Sequence, residues 1–186
     1  IDLCSKLTIN ELKERLNGSD FIIEEKNAFL GTAIISCENE YYEYSTFRTE
    51  KYGDDGSHNP LEVNFVNDVY EDAKRRDFTA NCIYYNITKK CFVDPYSGME
   101  DVKKGILRAI ETPHIVFKSD GERILRLIRI ACELNFKIDK QTYKTAKKMC
   151  YHLKDISASR KQLCLISILN CSKKYSSTRK DWSLFI

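Results

Sequence analysis

The densest group of chemically capable side chains in the sequence is the run Arg75–Asn81, Arg-Arg-Asp-Phe-Thr-Ala-Asn. Arginine binds phosphate oxygens through paired hydrogen bonds, and Asp or Asn can bind sugar hydroxyls or base edges. Two adjacent arginines beside an acid, an aromatic residue and an amide therefore favour a ligand that carries phosphate or sugar. The alternative is a helix start capped by Asp77 or Thr79, and the run alone does not decide between the two.

A second run places Arg123, Arg126 and Arg129 at steps of three after Asp120. At 3.6 residues per turn, these four positions sweep around roughly half of a helix. The same helix carries an apolar stripe, formed by Ile124, Leu127, Ile128, Ala131 and Leu134. The arginines therefore emerge from a mostly buried helix, where a guanidinium group needs an anion or an acceptor. A triphosphate, an RNA backbone or internal salt bridges would each supply one.

Two carboxylates in the first half of the chain, taken alone, do not indicate a function. Asp2 precedes a predicted helix, and Glu43 lies in a predicted strand. Taken alone, a terminal Asp is a solvated charge, and a lone Glu in a strand is most often an outward-facing residue.

Composition indicates a globular protein of 186 residues, 42% hydrophobic and 31% charged, which is enough for one domain and part of another. No apolar stretch approaches the roughly 20 residues that span a bilayer, so no membrane partner is expected. The eight cysteines are scattered without a CxxC pair, which predicts free thiols and a reducing, cytoplasmic setting. Acidic residues are frequent in 1–72 and basic residues gather from Lys74 onward. This distribution fits carboxylates followed by a phosphate-holding segment, or simply an uneven surface.

The hydrophobic pattern predicts early strands followed by a run of helices, which is an α+β arrangement. Thr8 and Glu11 have the spacing of a capping box, so the first helix is predicted over residues 8–16. Strands are predicted over 29–36, 41–47 and 61–66, with a turn at Asn39 between the first two. Further helices are predicted over 69–85, 98–110, 121–135 and 142–153. The tail over 172–186 has no clean period.

Five blocks, in this order, resemble the class II RNA nucleotidyltransferases of the polymerase-β superfamily, which include CCA-adding enzymes and poly(A) polymerases. The blocks are Ile1–Leu3, Glu43–Arg48, Arg75–Asn81, Asp94–Val102 and Asp120–Arg129. They resemble the family motifs DxD, EVxTFR, RRDFTxNA, DPxxGxxDL and EDxxRxxRxxR. The resemblance implies an α+β fold: a small, incomplete nucleotidyltransferase sheet in residues 1–85, a helical neck in 86–153, and a divergent or truncated tail in 154–186.

The resemblance also implies roles for single residues. Asp2 would be a catalytic carboxylate and a ligand of Mg²⁺, with Glu43 as a further catalytic acid beside two metal ions. Nucleotide binding would fall to Arg76, Asp77, Asn81, Asp120, Arg123, Arg126 and Arg129. Among these, Asp120 and Arg123 match the pair that recognises the Watson–Crick edge of the incoming base. The implied partners are the tRNA 3′ end, CTP and ATP, and no DNA is expected.

Some positions depart from the family pattern. The first Asp of the DxD motif does not appear, Ser119 stands where a Glu is usual, and the loop 55–60 lacks the arginine of DGRxP. These departures predict that the 186-residue chain is not by itself a competent enzyme. Gly31-Thr32 resembles the tRNA enzymes and favours CCA addition over poly(A) synthesis. A non-catalytic RNA-binding remnant is the alternative of a different class.

Overall fold

The computed structural model describes residues 1–53 and 59–174. Contacts divide the chain into two compact units: unit 1 is Ile1–Lys51 with Pro60–Arg75, and unit 2 is Tyr52–Asn59 with Arg76–Ile186. Most of the loop 55–60 and the end of the tail lie outside the described residues. The domain boundaries expected at residues 85 and 153 stay predictions.

Unit 1 is built on a mixed four-stranded sheet with the strand order β1-β4-β3-β2. Its strands are β1 (Asp2–Ser5), β2 (Ile22–Asn27), β3 (Thr32–Cys37) and β4 (Glu40–Thr46). Strand β1 runs parallel to β4, and the other neighbours are antiparallel. The predicted pairing of 29–36 with 41–47 is confirmed, although the first strand begins only at Thr32. Strand β2 was not predicted.

Helix α1 (Ile9–Arg15) packs on this sheet and gives unit 1 its core. The predicted capping box is confirmed, because the Thr8 side chain accepts from the Glu11 backbone N–H and the Glu11 carboxylate accepts from the Thr8 backbone N–H. The buried core residues of α1 and the sheet are Ile9, Leu12, Ala33, Ile35 and Tyr44. The helix is therefore fixed both by its cap and by the burial of one apolar face.

A hairpin and a short helix complete unit 1. Strand β5 (Arg48–Lys51) pairs antiparallel with β6 (Glu62–Phe65), and helix α2 (Val69–Lys74) follows. The helix predicted over 69–85 is wrong beyond Lys74. There the chain turns extended, and only a 3-10 turn over Thr79–Asn81 follows, because the next residues take tertiary partners in place of helical ones.

In unit 2, the 3-10 turn over Thr79–Asn81 is followed by the hairpin β7 (Tyr84–Asn86) and β8 (Cys91–Val93) and then by helix α3 (Gly98–Lys104). The helix predicted over 98–110 is wrong after Lys104, since Gly105 adopts a left-handed φ of 64° and ends α3. The following elements are β9 (Ile106–Leu107), α4 (Pro113–Ser119), α5 (Glu122–Leu134), β10 (Lys137–Ile138), α6 (Lys140–Lys148) and α7 (Ala158–Lys174).

Helix α5 is the central helix of unit 2. The predicted helix over 121–135 is confirmed within a residue at each end. Four of the five residues of its apolar stripe are buried, and Ile124 and Leu127 have no exposed surface, whereas Leu134 at the end of the helix is exposed. The helix predicted over 142–153 instead ends at Lys148 and continues as a 3-10 segment over Cys150–Asp155. A mixed sheet followed by several helices confirms the α+β class. Within the described ranges, no helix has the length and apolarity that crossing a membrane requires.

Candidate functional site

Asp77 is the centre of a buried polar network in unit 2. Only 5% of the residue is exposed. Its Oδ1 accepts hydrogen bonds from the Asn81 side-chain amide at 2.9 Å and from the Phe78 backbone N–H at 2.9 Å. Its Oδ2 accepts from Arg126 Nε at 2.7 Å. These donors offset the loss of hydration that burial of a carboxylate brings.

The charge states of Asp77 and Arg126 depend on each other. Burial alone would raise the pKa of Asp77, but the charge of Arg126 and the hydrogen bonds from Asn81 and Arg126 outweigh it and hold the pKa below its usual range. Burial likewise lowers the pKa of Arg126, and the charge of Asp77 more than offsets this, so its pKa is raised. Asp77 is therefore ionised at neutral pH and positions Arg126.

The two adjacent arginines of the Arg75–Asn81 run belong to different units. In unit 1, Arg75 Nη2 lies 2.8 Å from Asp72 Oδ1, and Arg75 Nη1 lies 3.6 Å from Glu50 Oε1. In unit 2, the guanidinium carbon of Arg76 lies 5.6 Å from the centre of the Tyr84 ring. Arg75 is thus part of an ion-pair cluster, whereas Arg76 is held over an aromatic face.

Asp120 and Arg123 lie together at the start of α5. Asp120 Oδ1 accepts from the Glu122 backbone N–H at 2.8 Å, and Arg123 Nε lies 3.9 Å from Asp120 Oδ2. Their side chains are only 14% and 9% exposed. The guanidinium carbon of Arg123 also lies 5.6 Å from the centre of the Tyr52 ring. A carboxylate acceptor and a planar donor are therefore held side by side in a largely buried position.

The turn between α4 and α5 requires a glycine. A Cβ built on Gly121 would lie 2.9 Å from the Cβ of His152 and 3.1 Å from its carbonyl oxygen. Gly121 follows Asp120 directly, so the close approach of the His152 segment fixes the backbone from which Asp120 projects.

The other two arginines of α5 are less buried than Arg123. The Arg126 side chain is 37% exposed, and that of Arg129 is 34% exposed, with Nε 3.8 Å from Glu133 Oε1. All three arginines therefore have an acidic neighbour within unit 2. The sequence left open whether anions or internal salt bridges satisfy them. The structure shows a hydrogen-bonded internal partner for Arg126, whereas the buried Nε of Arg129 makes no hydrogen bond to a described residue.

Asp2 and Glu43 occupy equivalent positions on neighbouring strands of unit 1. They are register partners in the parallel β1–β4 pair, and both are exposed. Side chains at the same register of adjacent strands project to the same face. Two carboxylates on one face suit a hard divalent cation. Over 1–53 and 59–174, however, no group of three or more His, Cys, Asp or Glu could hold a metal ion. The described residues do not complete a metal site.

A polar anchor that the sequence did not reveal connects the Asp94–Val102 block to the Arg75–Asn81 run. The Asp101 carboxylate accepts from the Thr79 hydroxyl at 2.8 Å and from Arg108 Nε at 3.0 Å. Gly98 packs so closely that a Cβ there would lie 2.1 Å from the Thr79 carbonyl oxygen. The Asp94–Val102 block thus positions the Arg75–Asn81 run. In the sequence, the only sign of this anchor was the resemblance of residues 94–102 to the DPxxGxxDL motif.

A buried ion-pair cluster in unit 1 was also missed. Arg48 Nε lies 2.7 Å from Glu50 Oε1, and the Arg48 backbone N–H donates to Asp72 Oδ1 at 3.1 Å. Asp72 is fully buried and also binds Arg75. The last residue of the Glu43–Arg48 block therefore joins β5 to α2. Periodicity gives no signal for such a cluster, because Arg48 and Glu50 lie more than 20 residues before Asp72 and Arg75.

The α+β fold, the paired carboxylates of β1 and β4 and the arginine-rich helix α5 fit the nucleotidyltransferase resemblance of the sequence. Residues 1–108 match the family model described as the poly A polymerase head domain, and the chain belongs to that nucleotidyltransferase family. It is homologous to bacterial CCA-adding enzymes: the Enterococcus faecalis enzyme is 36% identical over 139 residues, which is 75% of this chain and 34% of the relative. The chain spans about a third of the length of the curated relatives it matches.

Solved structures give the same result. The crystal structure of the Bacillus stearothermophilus CCA-adding enzyme in complex with CTP matches with a TM-score of 0.72 and 28% identity, over 85% of this chain and 37% of that one. A tRNA nucleotidyltransferase complexed with a primer tRNA and an incoming ATP analog matches with a TM-score of 0.64 and 25% identity, over 91% of this chain and 49% of that one. The family resemblance and the fold class that the sequence predicted are confirmed.

Proposed function

We propose that the chain selects the nucleotide in a tRNA nucleotidyltransferase that adds C and A residues to the tRNA 3′ end from CTP and ATP. The Asp120–Arg123 pair at the start of α5 carries this proposal. Arg123 is paired with Asp120 and lies about one helical turn before Arg126, which donates a hydrogen bond to Asp77. Homology to CCA-adding enzymes supports the choice of substrates.

The chemistry of the pair favours two of the four bases. Cytosine and adenine each present an exocyclic amino donor beside a ring-nitrogen acceptor, whereas uracil and guanine present a carbonyl acceptor beside a ring N–H. An ionised Asp can only accept and an Arg can only donate. Asp120 would therefore accept from the amino group, and Arg123 would donate to the ring nitrogen. With uracil or guanine, the Asp120 carboxylate would face a carbonyl acceptor and the Arg123 guanidinium would face a ring N–H donor, so neither hydrogen bond could form.

The remaining neck residues would hold the rest of the nucleotide. In this proposal Arg76, Arg126 and Arg129 bind the triphosphate, because a guanidinium group matches phosphate oxygens in geometry and charge. Asp77 and Asn81 position Arg126, and their amide and carboxyl groups suit the ribose hydroxyls. The half-exposed Arg126 side chain supports this assignment, since its Nε binds Asp77 while part of the group remains accessible.

Asp2 and Glu43 remain the proposed catalytic carboxylates and Mg²⁺ ligands of the family site. Their shared face on β1 and β4 supports the pairing. Because the described residues do not complete a metal site, no reaction step is assigned to the ion. A reducing, cytoplasmic setting is also proposed. The free thiols of the seven described cysteines support it: Cys4, Cys37, Cys82, Cys91, Cys132, Cys150 and Cys164.

Nucleotide affinities test the proposal directly. By calorimetry, the chain should bind CTP and ATP more tightly than UTP and GTP. Asp120→Ala should remove about 1–3 kcal/mol of this discrimination, the range for a two-point contact to a base edge. Asp20→Ala is the matched control, because Asp20 is an exposed Asp of unit 1 and should leave the preference intact. Equal affinities for all four nucleotides in the wild-type chain would reject the proposal.

Two other functions have specific support. The family model is described as the poly A polymerase head domain, which supports poly(A) synthesis. The three arginines of α5 are also what a non-catalytic RNA-binding protein would retain. Incorporation into a tRNA that ends before CCA separates the three. C followed by A supports CCA addition, and a tract of A alone supports poly(A) synthesis. RNA binding with neither incorporation nor nucleotide preference supports the RNA-binding protein.

A further inference from the structure

Helix α6 presents four lysines on one exposed face, here called the lysine stripe. Its members are Lys140, Lys144, Lys147 and Lys148. At 100° per residue these positions fall within an arc of about 100°. The opposite face is anchored in unit 2, because Thr142 and Ala146 have no exposed surface. The orientation of the stripe toward solvent is therefore fixed by packing.

Part of the charge of the stripe is unfavourable for the helix that carries it. None of its four lysines forms an ion pair or a side-chain hydrogen bond with a described residue. The neighbouring Asp139 is bound to Arg108 Nη1 at 3.1 Å and caps α6 through the backbone N–H groups of Gln141 and Thr142. Lys140 lies in the first turn, where the helix dipole disfavours a cation, whereas Lys147 and Lys148 lie in the last turn, where it favours one. Lysines four residues apart also repel one another. An external polyanion would relieve both effects.

We infer that the lysine stripe binds the phosphate backbone of a paired RNA stem. The choice of RNA among polyanions rests on the proposed function, and the stripe itself is separate from the base-selecting residues of α5. Lys140 and Lys148 lie about 12 Å apart along the helix axis, which is long enough to contact successive phosphates. The exposed residues of α6 are the four lysines and Gln141, whereas its one aromatic residue, Tyr143, is only partly exposed and offers little surface on which unpaired bases could stack. Backbone contact to a stem is therefore favoured over a single strand.

Salt-dependent RNA binding tests this inference. The probe is a fluorescently labelled RNA hairpin that reproduces a tRNA acceptor stem, titrated with the 186-residue chain at several KCl concentrations. The variant replaces all four lysines by glutamine, K140Q/K144Q/K147Q/K148Q. Each lost phosphate contact should lower the slope of log affinity against log salt by about one. We expect a slope lower by about three to four and an affinity at least about tenfold weaker near 0.1 M salt.

A matched control removes the same charge from elsewhere. It replaces four exposed lysines that already pair with glutamates, in the variant K13Q/K26Q/K51Q/K104Q. This control should change the slope by less than about one. Equal losses in both quadruple variants would mean that only net charge matters, and no loss in either would mean that the stripe does not bind RNA. Both results overturn the inference.

Two further experiments test whether the lysine charges contact RNA in a folded chain and whether the partner is a membrane instead. Replacing the four lysines by arginine keeps the charges and should retain RNA binding, and thermal unfolding should show that every variant is folded. If arginine does not retain binding in a folded variant, the backbone contact is wrong. Vesicles containing phosphatidylserine are the second probe. Stripe-dependent vesicle binding without stripe-dependent RNA binding would assign the surface to a membrane and overturn the inference.

The outcome is separable from that of the proposed function. A chain that binds the stem through the stripe but does not discriminate among the four nucleotides would reject the proposed function and keep the inference. A chain that prefers CTP and ATP but binds the stem independently of the stripe would reject the inference alone.

Discussion

Asp77 carries its negative charge inside unit 2, and Arg126 is the group that makes this possible. The two atoms that join them, Oδ2 and Nε, are 2.7 Å apart. A pair of this kind adds little net stability over two apolar groups, but removing one partner leaves the other charge uncompensated. The pair therefore acts mainly to fix where Arg126 lies, and it ties the Arg75–Asn81 run to α5.

Asp77→Asn should expose this dependence. The amide keeps a carbonyl for Asn81 but places an NH₂ group, or a neutral oxygen, against the guanidinium of Arg126. We expect the free energy of unfolding at pH 7 to fall by about 2 kcal/mol. This is less than the loss for a fully buried pair, because the Arg126 side chain is 37% exposed. Urea unfolding measures the change, with Asp20→Asn as an exposed control. A variant as stable as the wild type would contradict the assigned role.

The pH dependence of stability should differ between the same two proteins. The pKa of Asp77 is lower in the folded chain than its ordinary value of about 3.9. The stabilisation is therefore fully present above that value and is lost as the pH falls through the folded-state pKa. Below about pH 4, the wild-type chain should lose stability more steeply than Asp77→Asn, which cannot titrate at this position. Parallel curves in urea unfolding from pH 7 to pH 2 would contradict the prediction.

Helix α3 shows at the element scale how one motif supports another. Asp94 accepts the backbone N–H groups of Gly98 and Met99 at 2.7 Å and 2.9 Å, which fixes the start of the helix. Asp101, one turn later, accepts the Thr79 hydroxyl. Gly98 lets the backbone of the helix approach the Thr79 carbonyl directly. The helix therefore holds the 3-10 turn that follows Asp77, and an error in its packing should spread to the Asp77–Arg126 pair.

Gly98→Ala should be destabilising in spite of the better helix propensity of alanine. Propensity favours Ala by up to about 1 kcal/mol. The added Cβ would lie 2.1 Å from a backbone oxygen, which cannot move without the turn. Forced repacking of this kind costs about 2–3 kcal/mol, so the clash dominates. Thermal unfolding measures the effect, and Met99→Ala at the exposed neighbouring position is the control. Unchanged stability in Gly98→Ala would show that the turn can shift.

The sequence predicted elements with a strong period and missed those set by tertiary contacts. Helix α1 was predicted because its cap residues and its apolar face agree, and helix α5 because of its apolar stripe. The helix beginning at Val69 was predicted too long, since Asp77 and Thr79 bond to distant partners that no local pattern shows. Strand β2 was missed because five of its six positions are exposed and only Ile23 is partly buried, so the strand has no alternation of apolar and polar residues. The sequence also did not predict that Asp2 and Glu43 are register partners on β1 and β4, which only the structure shows.

At the scale of the whole molecule, the proposed site residues separate by unit. The carboxylates Asp2 and Glu43 belong to unit 1, whereas the proposed base-selecting and phosphate-binding residues belong to unit 2. Resemblance predicted both sets from motif order alone. It could not predict that the unit division falls within the arginine pair, because Arg75 and Arg76 are alike in type and differ only in their tertiary partners. Each unit therefore has the side chains for one part of the proposed function.

Base preference should accordingly be independent of divalent metal. Asp120 and Arg123 lie in unit 2 with Tyr52 and the Asp77–Arg126 pair, and none of them belongs to the Asp2–Glu43 face. The ratio of CTP to UTP affinity should be the same in EDTA and in Mg²⁺. The double variant Asp2→Ala with Glu43→Ala should keep that ratio, whereas Asp120→Ala should lose it in both buffers. Calorimetric titrations measure the ratio. If it collapses in EDTA or in the double variant, base selection needs the unit 1 carboxylates, and its assignment to unit 2 is wrong.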